Sequence, residues 1–473
     1  MALNFFNTLT RSVGEFAPLD PAGKKVGMYC CGPTIHDSAH IGNFRTFVFA
    51  DLVRRYLEFR GYTVRHVMNI TDVEDKIIAR VRAAGVSLKE YTGKYEAAFF
   101  ADLQALGCQP PHDSPHATEF IPEIIALISA LVVKGLAYQA PDGSVYFSIE
   151  KYRGCGCVYV QLLKLNLDEL RVGERVRSDE YAKESVSDFA LWKARVPEDG
   201  AVFWLSPWGE GRPGWHIECS AMSMKLLGPS FDLHLGGEDL VFPHHEDEIA
   251  QSEGAGWQAP GGRFVKHWMH GAHLLVEGKK MSKTLGNFFV LKDLTRQGFT
   301  GREIRYLLLS AHYRETFNFT LDGLRGARTA LARIDECLAK LRELAAGATA
   351  AAAAGDLPAA FQAALDEDLN VAGAWGAVFE WVRETNRRLA EQRFTPAEAA
   401  AALAAWQVVD AVLGVGAAPA GEEAPAEIVA LFEQRQAARK ARDFAAADAV
   451  RNELKARGWV IEDTPKGARL KKV

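Results

Sequence analysis

The sequence predicts an α/β fold: a parallel-sheet domain split by an insertion, then a helical bundle, then a small basic module. Three observations carry this expectation. Residues 26–31 (VGMYCC) read as a buried strand, Phe44, Phe47, Val48, Leu52 and Tyr56 as one face of a helix, and residues 62–69 (YTVRHVMN) as a second strand. Strand, helix and strand in that order imply a right-handed parallel unit. Residues 116–212 differ in texture, with short strands, charged segments and turn clusters, and from 300 onward the apolar spacing is helical.

Each element follows from its local chemistry. Gly32-Pro33 stops the first strand, and Gly61 stops the helix after it. Ligands of such sheets bind beyond the carboxyl ends of the strands, which places Cys31, His40 and Thr71 at the working edge. No G-x-G-x-x-G follows the first strand, which argues against a dinucleotide site. The pattern returns to strand and turn at 231–243, with the pair Gly236-Gly237. Trp375, Val378, Phe379 and Val382 form an i, i+3, i+4, i+7 stripe that reads as bundle core. The Ala-rich stretch 347–355 reads as a frayed helix or a linker, and 414–425 as a clearer linker. Residues 427–457 then read as two basic helices, and 458–472 as a hairpin turning at 464–467.

Bulk properties narrow the function. At 473 residues, two to four domains are expected. A formal net charge of -5 excludes a generic polyanion binder, so any nucleic-acid contact must rest on local basic patches. Seven cysteines in no even framework point to a reducing compartment. No apolar run approaches membrane length, and the start MALN does not open a signal peptide. A soluble cytoplasmic protein is the expectation.

Two short runs suit the handling of a triphosphate. His40-Ile41-Gly42-Asn43 offers an imidazole and a small residue where a helix starts, so both can approach phosphate. Lys280-Met281-Ser282-Lys283-Thr284 offers two lysines on a Gly-flanked loop, which can neutralise charge building on phosphate oxygens. A third constellation has metal-like chemistry. His244 and Glu248 in FPHHEDE are four apart and share a helical face, Cys219 lies upstream in GWHIEC, and Cys31 ends the first strand. Two thiols, one imidazole and one carboxylate suit a tetrahedral zinc site. On spacing alone, two buried cysteines beside a solvated acidic helix start fit as well.

Taken together, MYCCGPTIHDSAHIGN, NITDVEDKI, DFALWKA, GRPGWHIECSAM, FDLHLGGEDLVFPHHEDEIAQ and KKMSKTLGN resemble the cysteinyl-tRNA synthetases, a family of class I aminoacyl-tRNA synthetases. The resemblance runs to the end of the chain in RQAARKARDFAAADAVRNELKARGWVIEDTPKG, and is loose in the insertion and the Ala-rich helices. It implies a Rossmann-like catalytic domain with halves at 1–115 and 213–300, the second half carrying zinc ligands and the KMSKT loop. It also implies a connective insertion at 116–212, a helical stem-contact and anticodon-side bundle at 301–413, and an anticodon-binding module at 426–473.

The resemblance further implies one zinc ion on Cys31, Cys219, His244 and Glu248, with Cys30 the near miss and His245 and Glu246 outside the ligand set. Zinc would bind the substrate thiolate directly and so tell cysteine from serine, which differs by one atom. His40, Gly42, Asn43, Asp239, Lys280 and Lys283 would handle ATP with its magnesium. Of these, Lys283, Lys280, His40 and Asn43 are the catalytic candidates, with Lys283 foremost. Thr71, Trp215 and His234 would line the amino-acid pocket. The implied partners are L-cysteine, ATP and tRNA(Cys), and the implied state is a monomer with no membrane.

Arg435, Arg439, Lys440, Arg442, Arg451, Lys455 and Arg457, followed by Lys466, Arg469, Lys471 and Lys472, would face the tRNA. Trp459 is either a base-stacking platform or hairpin core. Some positions depart from the family pattern. Asn43 and Thr284 replace its usual His and Ser, His36 stands where tyrosine is common, and 152–165 (YRGCGCVYVQLLKL) diverges. Cys155 and Cys157 invite a second metal but have no partner pair in sequence, and read as inert or simply exposed thiols. Two alternatives share parts of the pattern: a cysteine:amino-sugar ligase of mycothiol biosynthesis, and a non-catalytic tRNA-binding paralogue. The basic module argues against the first. Both lysines and all four candidate ligands argue against the second.

Overall fold

A computed structural model describes residues 2–163, 188–282, 284–348, 356–416, 426–441, 443–464 and 467–472. Lys283, Arg442, Lys466 and the end of the divergent 152–165 segment lie outside the described residues, as do the side chains of Arg469, Lys471 and Lys472. The chain divides into two compact units, Met1–Val415 and Gly416–Val473.

The first unit opens with a hairpin, β1 (Asn4–Asn7) and β2 (Ser12–Glu15). Then come β3 (Lys25–Cys30), α1 (Ile41–Phe59) and β4 (Thr63–Met68). The helices α2 (Asp75–Ala84) and α3 (Leu88–Ala105) follow. The insertion contributes α4 (Ile121–Val133), β5 (Ala137–Gln139), β6 (Val145–Phe147) and α5 (Ile149–Gly154). It continues with β7 (Phe189–Ala194), β8 (Trp204–Ser206) and β9 (Gly209–Pro213). Its strands join in one antiparallel sheet of order β5-β6-β7-β9-β8.

The chain then returns through α6 (Trp215–Leu227), β10 (Phe231–Gly237), α7 (Glu246–Ala255) and β11 (Val265–Gly271). The main sheet has the order β11-β10-β3-β4 and is parallel throughout. From β3 the chain steps to β4 on one side, and later adds β10 on the other. That reversal opens a crevice at the carboxyl edge between β3 and β10, where such sheets bind ligands. The N-terminal hairpin lies beside β11: Thr8 N–H donates to Trp268 O at 2.9 Å, and Asn7 Nδ2 to Lys266 O at 2.9 Å.

A small sheet of β12 (Leu274–Val276), β13 (Lys279–Lys280) and the later β14 (Phe317–Phe319) carries the lysine loop. Between β13 and β14 run α8 (Leu291–Arg296) and α9 (Gly301–Leu308). The bundle consists of α10 (Leu321–Leu344), α11 (Leu357–Leu365), α12 (Val371–Ala390) and α13 (Pro396–Leu413). Trp375, Val378 and Val382 are buried in it, as their spacing predicts. Among the described residues α13 alone is long and apolar enough to cross a membrane, contrary to the sequence expectation. Its alanines supply that apolar character, and Ala399, Ala405, Trp406 and Val409 are buried in the bundle.

Helix α1 is buried on nearly every side, so its polar residues must be satisfied internally. Asp51 is the centre of that arrangement. Its carboxylate accepts from Arg305 Nη2 at 2.5 Å, Arg55 Nε at 2.7 Å and Gln109 N–H at 2.7 Å. Arg305 is wholly buried and also donates to Leu413 O, while Arg55 donates to Ala411 O. Both guanidiniums therefore sit on the last carbonyls of α13, where the helix dipole favours cations.

Burial alone would raise the Asp51 carboxyl, but Arg305 and Arg55 outweigh it and hold it below the usual range. The stability it supplies is complete above the unfolded-state value of about 3.9 and is lost as pH falls through the folded value. Asp51→Ala should cost roughly 3–5 kcal/mol in urea unfolding at neutral pH, because it leaves Arg305 buried without its counter-charge.

Candidate active site and metal centre

His40 is the N-cap of α1 and forms a reciprocal capping box with Asn43. Asn43 N–H donates to His40 Nδ1 at 3.2 Å, and Asn43 Oδ1 accepts from His40 N–H at 3.0 Å. With Nδ1 accepting, the imidazole proton belongs on Nε2, facing away from the cap. Burial lowers the His40 pKa despite the opposing charge of Asp239, so the ring is neutral near pH 7.

The two triphosphate-like runs meet here. A Cβ on Gly42 would lie 2.6 Å from Met281 Cε, so the small residue lets the lysine loop rest on the helix start. Ile41 N–H donates to Phe289 O at 2.9 Å, and His40 packs edge-on against Phe288. Asn287, to which the sequence pattern assigns no role, holds the loop's backbone. Its Oδ1 accepts from Ser282 N–H at 2.8 Å, and its Nδ2 donates to Lys280 O at 3.2 Å. Lys280 is exposed, and Lys283 lies outside the described residues. Asp239 is exposed just past Gly237, where a Cβ would come within 2.4 Å of its Oδ1.

The metal-like residues also converge. Ligand atoms of Cys31, Cys219, His244 and Glu248 all lie within 4.8 Å of one another, and all four residues are buried. Cys31 Sγ is 4.0 Å from Cys219 Sγ and 3.7 Å from Glu248 Oε1, and His244 Nε2 is 3.1 Å from Glu248 Oε1. Two sulfurs, one imidazole and one carboxylate at these separations fit tetrahedral zinc. The electrostatics also favour a cation. A hydrogen bond from Cys31 pulls the Cys219 thiol down to about 6. Burial would raise Glu248, yet His234 and His244 hold it at about 2.

A second set overlaps the first: Cys31, His234, His245 and Glu248 meet the same distance criterion. Cys30 is not in either set. Burial pushes its thiol up to about 12, and its sulfur contacts Cys31 O.

The profile of tRNA synthetases class I (C) catalytic domains matches residues 17–329. A DALR domain matches 360–417, and a cysteinyl-tRNA ligase anticodon binding domain matches 422–469. The cysteine–tRNA ligase of Chlamydia muridarum is 45% identical over 488 residues, covering 100% of both chains. That of Protochlamydia amoebophila is 43% identical, covering 99% of this chain and 98% of its own. The chain belongs to the cysteine–tRNA ligase family.

Solved class I synthetases share the fold. A Mycobacterium tuberculosis methionyl-tRNA synthetase bound by methionyl-adenylate superposes with TM-score 0.55 at 15% identity, covering 90% of this chain and 96% of that one. An Agrobacterium radiobacter LeuRS in a ternary complex superposes with TM-score 0.59 at 12% identity, covering 85% of each chain. The matched anticodon domain favours the ligase family over the amino-sugar alternative.

Around the metal-like cluster, the expected pocket residues take distinct places. Trp215 is 37% exposed and stacks on His244 at 4.5 Å, so it walls the crevice. Thr71 is buried; it accepts from Asn69 Nδ2 at 3.2 Å and donates to Glu218 Oε2 at 3.3 Å. Glu218 is fully buried and has no role in the sequence pattern, although it sits inside the GWHIEC motif. His234 has no exposed surface: its Nε2 is 2.9 Å from Glu248 Oε2 and its ring stacks on Trp268. It therefore touches a candidate ligand from behind, where sequence reasoning puts it against substrate.

The divergent 152–165 segment is clamped where it is described. Gln161 and Leu162 N–H groups donate to the Glu246 carboxylate at 2.8 and 2.5 Å, and Tyr159 Oη–H to Asp247 Oδ1 at 2.5 Å. Cys155 and Cys157 are exposed and join no metal-like group among the described residues.

The second unit packs α14 (Ala426–Lys440) against α15 (Phe444–Ala456), with the hairpin β15 (Trp459–Thr464) and β16 (Gly467–Lys472). Trp459 is buried with Ile428, Val450 and Leu454, so it is core and offers no stacking platform. Arg435 is buried as well, whereas Lys440 and Lys455 are exposed. Arg457 is engaged by Glu453 at 2.6 Å and Glu427 at 3.1 Å.

Gly32 separates the metal edge from Thr71. A Cβ there would lie 1.6 Å from Asn69 O, a backbone clash that no rotamer relieves. Gly32→Ala should therefore displace Cys31 from the other three donors and weaken uptake of added zinc relative to the unaltered chain, read by metal titration.

Proposed function

We propose that the protein joins L-cysteine to tRNA(Cys) in two steps, activation with ATP and then transfer. The observation that supports this most is the convergence of a soft metal-donor set, a histidine-capped helix start and the lysine loop at one sheet edge. In this reading ATP, with its magnesium, lies at the start of α1. His40 Nε2–H, the Asn43 side-chain amide and the Gly42 N–H donate to phosphate oxygens. Asp239 takes hydrogen bonds from the nucleoside. The cysteine carboxylate attacks the α-phosphorus in line, a P–O bond forms, and pyrophosphate leaves. Lys280 and Lys283 neutralise the charge that accumulates, so positioning and electrostatics dominate.

Specificity rests on the buried donors. Cys31, Cys219, His244 and Glu248 hold one zinc ion, which when bound supplies a soft Lewis acid for a thiolate and a poor one for serine's hydroxyl. Trp215 closes the pocket over that site. Thr71, held by Glu218 and Asn69, fixes its floor, and His234 orients Glu248 from behind. A hydrophobic pocket alone separates near-isosteres weakly. Residues 1–115 and 213–300 then form the catalytic domain, 116–212 its connective insertion and 301–413 the stem-side bundle. Residues 426–473 read the anticodon, with Lys440 and Lys455 among the phosphate contacts.

The direct test is cysteine-dependent exchange of pyrophosphate into ATP, then cysteinylation of tRNA, with and without a zinc chelator. Absence of exchange in metal-replete protein would sink the proposal, and exchange without transfer would favour the amino-sugar ligase. Cys219→Ser should raise the cysteine KM by more than about a hundredfold, since even outer-shell changes at metal sites cost 10–100-fold. Its ATP KM should stay unchanged; an equal loss of ATP affinity would make the metal structural. Lys283→Ala should lower kcat for exchange by about 10²–10³ with both KM values little altered.

A further inference from the structure

Behind Cys31 runs a chain of hydrogen bonds that the proposed reaction does not use. His245 Nε2 lies 3.4 Å from Cys31 Sγ. His245 Nδ1 lies 2.7 Å from His270 Nε2, and His270 Nδ1 lies 2.8 Å from Thr8 Oγ1. The four groups come from the end of β3, the start of α7, the end of β11 and the turn between β1 and β2. Both rings are held tightly. His245 packs against the backbone of Gly236, where a Cβ would lie 2.6 Å from its Cε1, and both rings pack on Trp268.

Chemistry fixes the direction of this chain. As a metal ligand, the Cys31 sulfur is a thiolate and can only accept, so His245 Nε2 carries the proton facing it. A singly protonated His245 then accepts at Nδ1, which requires a proton on His270 Nε2. His270 in turn accepts at Nδ1, and the Thr8 hydroxyl donates there. Glu248 Oε1 stands 4.0 Å from His245 Nε2, beyond hydrogen-bond reach, so it does not compete for that proton.

We propose that Thr8 is a positioning residue for the metal centre: through His270 and His245 it holds an N–H against the Cys31 thiolate. This rests on the zinc reading given above. An N–H bond to a ligand sulfur draws charge from it and leaves the metal more electrophilic, which favours binding of a substrate thiolate. Without the hydroxyl, the His270 Nδ1 lone pair loses its donor, and the tautomer that places an N–H against the sulfur loses its terminal hydrogen bond. The reversed arrangement, with a lone pair of His245 facing the sulfur, is then no longer disfavoured. The proposal also assigns His245 outside the ligand shell, against the alternative set with His234.

The test uses the full chain with cobalt(II) in place of zinc, as the unaltered protein, Thr8→Val and Thr8→Ser. Thr8→Val should move the sulfur-to-cobalt charge-transfer band to lower energy. In zinc-loaded protein it should raise the cysteine KM for exchange about tenfold, with the ATP KM unchanged. Thr8→Ser should restore both readouts. A normal band that Thr8→Val leaves in place, or a defect that serine does not rescue, overturns the relay while the metal reading stands. No sulfur-to-cobalt band in the unaltered protein overturns the metal reading itself, and the relay with it.

Discussion

A carboxylate with no exposed surface, Glu248, sets the terms for the groups around it. It lies 2.9 Å from His234 and 3.1 Å from His244, with two cysteine sulfurs close by. An ionised carboxylate in such surroundings persists only with positive charge and hydrogen bonds to offset its desolvation. Two thiols beside it make the demand larger, because each favours its neutral form when buried alone. One divalent cation meets the whole demand at once. The imidazoles alone meet only part of it. Against the burial that favours its neutral form, Cys219 and Glu248 raise His244 to about 10, while burial and the neighbouring Cys219 leave Cys31 pushed well above the ordinary thiol range. The cluster is thus matched to a metal by charge as well as by distance.

That demand explains why the surrounding polar groups sit where they do. Glu246 and Asp247, adjacent in sequence to the candidate ligands, face the insertion and accept hydrogen bonds there from backbone N–H groups and from Tyr159. The described part of the divergent segment thus binds the two acids that α7 presents on its other side. Glu218 accepts a hydrogen bond from Thr71, which Asn69 holds in turn. Burial, with Cys219 and Asp72 nearby, raises its carboxyl well above the usual range.

Legibility from sequence followed the range of the interaction. The strand–helix–strand start, the bundle stripe and the C-terminal helices and hairpin were readable because each depends on neighbours a few residues apart. The pairing of His244 with Glu248 was readable from their spacing, although α7 begins only at Glu246 and His244 precedes it in a short π-helical segment, Val241–His245. Which cysteine joins them came from the family resemblance, since Cys31 and Cys219 are brought together only by the sheet. The contacts of His234 and the chain from Thr8 through His270 to His245 left no local signal. Each joins segments that neither periodicity nor spacing relates. Trp459 shows the opposite limit: an aromatic near basic residues looks like a platform until its burial is known.

Helix α1 links the two halves of the problem. His40 caps it, its first turn carries Gly42 and Asn43, and its middle carries Asp51. A helix start is an effective anion site only if its N–H groups keep a fixed direction, and a rod clamped at mid-length keeps that direction at its end. Asp51 supplies the clamp by tying α1 to Arg305 of α9, which also holds the last carbonyls of α13. The glycine at position 42 then allows the lysine loop to settle on that fixed end. The cost of burying an aspartate and an arginine in the core is therefore tied to the geometry of a site that neither residue touches.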